Sequence, residues 1–179
     1  MTGQLIAVVG PSGAGKDTLI RGALARDPTL SWARRSVTRP PSGSEPFESL
    51  DEAEFARRVA ADQFALHWRA HGLRYGVAWA ELEPMAAGGT VLFNGSRAAL
   101  SEAVAQFPAL QVIEVTAPAE LLARRLAERG RESAQQIAER IARSCADLPE
   151  GLPVRRVIND GSCAQGVERM LAALHPVRA

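Results

Sequence analysis

Leu5-Ile6-Ala7-Val8-Val9 is an unbroken apolar run that stops at Gly10-Pro11. A run of this kind predicts a strand buried on both faces, without the alternation of a half-wet one. Thr90-Val91-Leu92-Phe93, between Gly88-Gly89 and Asn94-Gly95, repeats the pattern, and residues 110–115 and 154–158 supply two more strands. A further strand is predicted over 32–37. Between the strands, helical patterns run over 19–26, 51–61, 79–87, 96–106, 118–129, 133–145 and 164–174. The first ends before Asp27-Pro28; the second has Phe55 and Val59 four apart and Asp51 placed to cap its start. Residues 38–49, rich in Pro, Ser and Gly, read as a loop, and residues 64–77 mix aromatics with arginines and fit neither period. Strands alternating with helices imply an α/β fold with a largely parallel sheet covered on both faces.

The bulk properties narrow the partners. A chain of 179 residues suits one compact domain with a sizeable core, and the linker-like stretches 40–46 and 149–153 are too short to divide it. A formal charge of +1 argues against nucleic acid or an anionic membrane as the main partner, so any anion site must be local. The two cysteines, Cys145 and Cys163, have no motif spacing and read as buried thiols in a reducing cytosol. No apolar run approaches membrane-spanning length, and residues 5–9 lead straight into a loop that must stay attached, so a cytoplasmic protein without a signal sequence is expected.

The chemistry begins at that loop. Gly10-Pro11-Ser12-Gly13-Ala14-Gly15-Lys16 follows a predicted strand and opens a helix, as a phosphate-binding loop must. Its glycines let successive backbone N–H groups turn inward, the helix end adds its dipole, and Lys16 supplies a charge that can follow a transferred phosphoryl group. ATP and Mg²⁺ are therefore the expected co-substrate and cofactor. The next residue breaks the motif: Asp17 stands where Ser or Thr would ligate Mg²⁺, and Thr18 follows. Either the Asp17 carboxylate takes the metal, or it turns outward as a helix N-terminal acid while Thr18 meets a phosphate. Further on, Arg124, Arg125, Arg129 and Arg131 bracket Gly130, with Arg140 and Arg143 beyond. Interspersed Glu120, Glu128, Glu132 and Glu139 could make this a solvated, ion-paired face. The alternative is a lid over residues 124–140 whose guanidiniums close on a triphosphate.

In this order the loop, Val37-Thr38-Arg39, Tyr75-Gly76, the arginine cluster and Val157-Ile158-Asn159-Asp160 resemble the guanylate kinase-like P-loop kinases across nearly the whole chain. The resemblance implies a core of residues 1–34 and 88–179, an acceptor-binding region at about 35–87 and the arginine-rich lid. It also implies that Arg39 and Tyr75 meet an acceptor phosphate, that Arg129, Arg131 and Arg140 reach ATP phosphates, and that Asn159 lies near the adenine. The departures fall where guanine would be read. Pro40-Pro41-Ser42 replaces a second arginine, Phe47-Glu48-Ser49-Leu50 shortens a Tyr-Phe-Val segment, Leu66 replaces a base-reading glutamate, and Asn94-Gly95-Ser96 replaces Asp-x-Asp. A site without those buried acceptors recognises guanine poorly.

The segments Gly10 to Leu19 with Asp17 in place, Val37-Thr38-Arg39-Pro40, and Phe64-Ala65-Leu66-His67-Trp68 through His71-Gly72-Leu73 to Tyr75-Gly76 are similar to the ribose 1,5-bisphosphate phosphokinase family. That resemblance implies transfer of the γ-phosphoryl of ATP to the 1-phosphate of ribose 1,5-bisphosphate, a small phosphorylated sugar, giving 5-phosphoribosyl 1-diphosphate and ADP, with a nucleoside monophosphate kinase as the alternative. An acceptor phosphate is already anionic, so no general base is needed and none is evident. Arg39, Arg69, Arg74, Tyr75 and His71 supply phosphate-binding groups, and arginine forks suit them. Asn94 and Ser96, after a parallel strand, could bond ribose hydroxyls or merely form a turn. His67 and His71 would share a face on a helix, but no third metal ligand is evident. A homodimer is neither required nor excluded. Whichever way Asp17 turns, turnover should vanish in excess chelator and return with added Mg²⁺.

Overall fold

The computed structural model describes residues 3–40, 46–128, 130, 135, 148 and 151–176. Its main sheet has the order β2-β7-β1-β8-β9, formed by β1 (Gln4–Val9), β2 (Leu30–Trp32), β7 (Thr90–Asn94), β8 (Gln111–Thr116) and β9 (Val154–Ile158). β2 runs parallel to β7, and β8 runs parallel to β9. The apolar runs are buried as their lack of alternation predicts: Ile6 to Val9, Val91 to Phe93, and Val112, Ile113 and Val115 are all 0% exposed.

The chain packs as two compact units, one of residues 1–7 and 28–111, the other of residues 8–27 and 112–179. In the second unit, β1 ends in the phosphate loop and α1 (Lys16–Arg26) follows. α5 (Ala119–Glu128) succeeds β8, and α6 (Cys163–Leu174) succeeds β9. α1 and α6 lie so close that a Cβ on Gly22 would come within 2.3 Å of Val167. The start of α6 is fixed by Ser162 and Gln165, each of whose side chains bonds the other's backbone N–H. Cys163 stands at the first turn of that helix and is exposed, so the buried thiol expected there is corrected. Apart from Gln135, the predicted helix 133–145 lies outside the described residues, as do Cys145 and the lid arginines Arg129, Arg131, Arg140 and Arg143.

The first unit adds a four-stranded sheet of order β4-β3-β6-β5, built from β3 (Arg35–Val37), β4 (Phe47–Ser49), β5 (Phe64–Ala70) and β6 (Leu73–Ala78). The strand predicted over 32–37 is thus two strands in two sheets. β2 ends at Trp32, Ala33 donates its N–H to the Leu92 carbonyl, and β3 starts at Arg35. The predicted loop 38–49 contains β4, which pairs parallel with β3. Residues 64–77, undecided by periodicity, form an antiparallel hairpin. Its turn is His71-Gly72, with φ of 52° and 75°, the mirror-image geometry that matches strand twist. His67 lies on β5 and His71 in the turn, so they share no helical face.

One face of this sheet is covered by α2 (Glu52–Ala60), capped by the Asp51 carboxylate accepting from the Glu54 N–H at 2.7 Å. A bulge between Phe64 and Leu66 brings Phe64 to this face, where it stacks on buried Phe55 at 4.7 Å. Arg58 ties helix to sheet: it donates to both Glu48 oxygens at 2.8 and 3.0 Å and to Glu54 at 2.8 Å, while Ser36 donates to Glu48 at 2.7 Å. Burial raises the Glu48 pKa, but the hydrogen bonds from Arg58 and Ser36 outweigh it and hold the carboxyl below its ordinary 4.5. Hydrogen bonds from Arg57 and Arg58 bring Glu54 down to about 2. The remaining elements of the unit are 3₁₀ turns at Trp79–Leu82 and Arg97–Ala99, the short α3 (Glu83–Ala86) and α4 (Leu100–Gln106). Among the described residues no helix is long and apolar enough to cross a membrane.

A carboxylate whose folded pKa is depressed stabilises the fold above its unfolded pKa, and that contribution is lost as pH falls through the folded value. Glu48→Gln should therefore unfold at a lower temperature than the wild type near neutral pH. The gap should narrow as pH falls below the ordinary value of 4.5. Thermal unfolding of both proteins across that range checks it.

Candidate active site

The phosphate loop is shaped by close contacts that exclude side chains. Gly10 has φ 140°, and a Cβ there would lie 2.0 Å from the Val115 carbonyl oxygen. Gly15, the residue that precedes α1, has φ 90° and leaves room for the Asn159 amide, which a Cβ would approach to 2.5 Å. No side chain caps α1. Its leading N–H groups and the positive end of its dipole are thus left to an anion. The Lys16 ammonium folds back across the loop, donating to the Gly10 carbonyl at 2.8 Å and the Pro11 carbonyl at 3.0 Å. Asp17 sits in the first turn of α1, and exposed Thr18 lines a pocket beside the loop.

That pocket, about 330 Å³, is bounded by Gly13, Gly15, Thr18, Arg125 and Asn159 and by Cys163 at the head of α6. Arg125, on α5, reaches toward the Gly13 carbonyl at 3.4 Å. Its neighbour Arg124 points out to solvent and pairs with Glu128 at 3.7 Å, one helical turn on. Sequence reasoning placed both in one cluster; helical phase separates them. Asn159 is 6% exposed and donates from Nδ2 to the Ala14 carbonyl at 2.7 Å, while its backbone N–H extends the sheet to Thr116 at 2.7 Å. Its side chain therefore braces the loop from beneath, at the wall of the pocket. Among the described residues no three His, Cys, Asp or Glu side chains gather as a metal cage. A lone carboxylate in a phosphate site is what Mg²⁺ uses when substrate and water provide its other ligands.

In the other unit, strand alternation decides which predicted acceptor residues share a face. Trp68, opposite Tyr75, stacks on it at 5.5 Å and tilts against Phe93 of β7 at 6.4 Å. Arg35 lies over the Tyr75 ring at 5.2 Å and donates to the Asn94 carbonyl at 3.1 Å. Arg39 lies over Phe47 at 4.3 Å, and Phe47 pairs with Arg35 across β3 and β4. Tyr75, Arg39 and Asn94 are thus brought to one side, with Ser96 two residues past the end of β7. Arg74 and Arg69 pair across the hairpin on the opposite side. There the Arg74 guanidinium rests on Phe55 at 4.5 Å and approaches Glu52 at 3.5 Å. His71 is exposed in the turn. Sequence reasoning did not single out Arg35, for which the Arg34-Arg35 doublet just before Val37-Thr38 was the available signal, and it named Trp68 only within the segment from Phe64 to Tyr75.

Removing the brace should be felt in both stability and nucleotide use. Asn159→Ala leaves the Ala14 carbonyl without its partner, a loss of about 1–3 kcal/mol. We expect a lower unfolding temperature together with a raised KM for the nucleotide, both measurable on the purified variant.

No protein-family model matches the chain. It is 48% identical over 180 residues to ribose 1,5-bisphosphate phosphokinase PhnN of Ruegeria sp., covering 99% of this chain and 94% of that protein. The protein of the same name from Methylobacterium radiotolerans is 44% identical, with 97% and 98% covered. A bifunctional ribose 1,5-bisphosphokinase-thymidine phosphorylase of Azorhizobium caulinodans is 46% identical over 97% of this chain and 26% of that longer protein. Among solved structures, guanylate kinase from Anaplasma phagocytophilum has a TM-score of 0.70 at 17% identity, covering 97% of this chain and 85% of that one. A gluconokinase from Sinorhizobium meliloti gives 0.56 at 16% identity, covering 97% and 91%. The structural likenesses bear out the guanylate kinase-like α/β fold, and the long, close sequence matches decide kinship: the chain belongs to the ribose 1,5-bisphosphate phosphokinase family.

Proposed function

We propose that the protein transfers the γ-phosphoryl group of ATP to the 1-phosphate of ribose 1,5-bisphosphate, giving 5-phospho-α-D-ribose 1-diphosphate and ADP. The observation that carries this reading is the full-length 48% identity to a protein of that name, joined to a phosphate loop with an uncapped helix end. A non-bridging oxygen of the 1-phosphate attacks the γ-phosphorus. The bond from that phosphorus to the β–γ bridging oxygen breaks, and ADP leaves with the electron pair. The nucleophile is anionic already, so the protein's contribution is placement and charge neutralisation.

On the donor side, residues 10–18 cradle the phosphates, Lys16 leaves the loop carbonyls for the transferred group, and Asn159 keeps the loop in shape. Arg125 joins Arg129, Arg131 and Arg140 as the arginines that meet ATP. Asp17, with Thr18 beside it, would hold Mg²⁺, which when bound supplies positive charge between the phosphates. On the acceptor side, Arg35, Arg39 and Tyr75 take the sugar's phosphates, and Asn94 and Ser96 face its hydroxyls. Arg69, Arg74 and His71 are left out of this assignment, because Arg69 and Arg74 share the face that α2 covers and His71 caps the hairpin. Leu66, at the position where guanylate kinases read their base, is 4% exposed and pairs with Val77, an apolar environment that offers guanine no acceptor. The use of ATP supports a cytoplasmic location.

ADP formation from Mg-ATP, with ribose 1,5-bisphosphate or a panel of nucleoside monophosphates, tests the reading. Lys16→Ala should lower kcat by about 10²-fold or more, as loss of a charge that acts on the transition state does. Arg39→Ala should instead raise KM for the sugar bisphosphate by about tenfold or more with KM for ATP little changed. Fast turnover of GMP with none of the sugar would contradict the proposal.

A further inference from the structure

Among the polar atoms of the first unit buried without a hydrogen-bond partner are the indole Nε1 of Trp68 and the hydroxyl oxygen of Ser96. Trp68 as a whole is only 6% exposed. An indole N–H can only donate, and a buried donor left unmatched carries a free-energy cost comparable to a lost hydrogen bond. Packing alone does not call for it. The ring stacks on Tyr75 at 5.5 Å and 9° and meets Phe93 at 6.4 Å, contacts that a phenylalanine could largely make without the orphaned N–H.

Both orphans belong to one neighbourhood. β5, which carries Trp68, packs against the 3₁₀ turn that Ser96 opens, and Ser96 makes no side-chain cap on that turn. This is the carboxyl end of β7, the position at which open α/β sheets receive ligands. Arg35, over the Tyr75 ring, brings charge to the same side. Charged forks suit phosphates, whereas a neutral indole donor and a neutral hydroxyl suit the uncharged oxygens of a sugar. We propose that Trp68 Nε1–H donates to a ring hydroxyl of the pentose and that Ser96 Oγ is its second contact, so that the pair reads the sugar while the arginines read its phosphates. This rests on the reaction proposed above. Both atoms are closed to water in the substrate-free protein, so the sugar engages them by displacing local side-chain packing.

The test is steady-state kinetics of the wild type, Trp68→Phe and Ser96→Ala on ribose 1,5-bisphosphate and its 2-deoxy and 3-deoxy analogues. Trp68→Phe should raise KM for ribose 1,5-bisphosphate about tenfold with kcat within about threefold, the effect of one ground-state hydrogen bond. On the analogue lacking the hydroxyl that Trp68 addresses, the same substitution should cost nothing, because the partner is already gone. Ser96→Ala should raise KM without lowering the unfolding temperature, since its hydroxyl has no partner in the fold to lose. An equal loss on all three sugars, or no loss on any, overturns the inference, as does a Ser96→Ala protein that is less stable with unchanged KM. A wild type inactive on every sugar overturns the proposed reaction and this inference together; an active wild type with a silent Trp68→Phe overturns the inference alone.

Discussion

The phosphate loop can close only because Gly10 has no side chain: a Cβ there would lie 2.0 Å from the Val115 carbonyl oxygen. From that contact the rest of the donor site follows. β1 and β8 lie side by side in the sheet, so the loop leaves β1 tight against β8 and then curls. Asn159, one residue past β9, reaches back under the curl to hold the Ala14 carbonyl at 2.7 Å. Gly15 makes room for that amide, and α1 starts immediately after it without a side-chain cap. The uncapped N–H groups at the start of α1 are thus positioned by a buried sheet.

The first unit is built by different means. Its sheet is short and two-faced. One face is closed by α2, with Phe55 on Phe64 and an Arg58–Glu48–Ser36 network at the margin. The other carries Trp68, Tyr75, Arg35 and Arg39, aromatic surface with guanidiniums laid on it. Guanidinium on an aromatic face is held by the ring's quadrupole, and Arg35 is held further by its hydrogen bond to the Asn94 carbonyl at 3.1 Å.

Much of this was legible in the chain. The long strands announced themselves because burial on both faces removes polar residues altogether, and the phosphate loop did so because few backbones but this one need glycine at those spacings. The acceptor sheet was harder, for physical reasons. Strands of three residues such as β3 and β4 are too short to display a period. The bulge at Phe64–Leu66 breaks the alternation of β5 at its first step, and β2 and β3 are separated by only two residues that lead from one sheet to another. Without the register, arginines four or five apart, such as Arg35 and Arg39 or Arg69 and Arg74, cannot be assigned to faces. Hence Arg69 and Arg74 were grouped with Tyr75 although they pair on the α2 side, and Arg35 passed unmarked. Cys163 misled for a simpler reason: a cysteine is usually buried, but this one falls on the exposed first turn fixed by Ser162 and Gln165.

Phosphorus NMR of the reaction with ATP labelled by ¹⁸O on its γ-phosphoryl group tests the central claim most directly. The account predicts that, with ribose 1,5-bisphosphate present, the label appears in the outer phosphorus of a new diphosphate attached to C1 of the sugar, with ADP formed in equal amount. Label released into inorganic phosphate, or found in a nucleoside diphosphate while the sugar bisphosphate is left untouched, would contradict it.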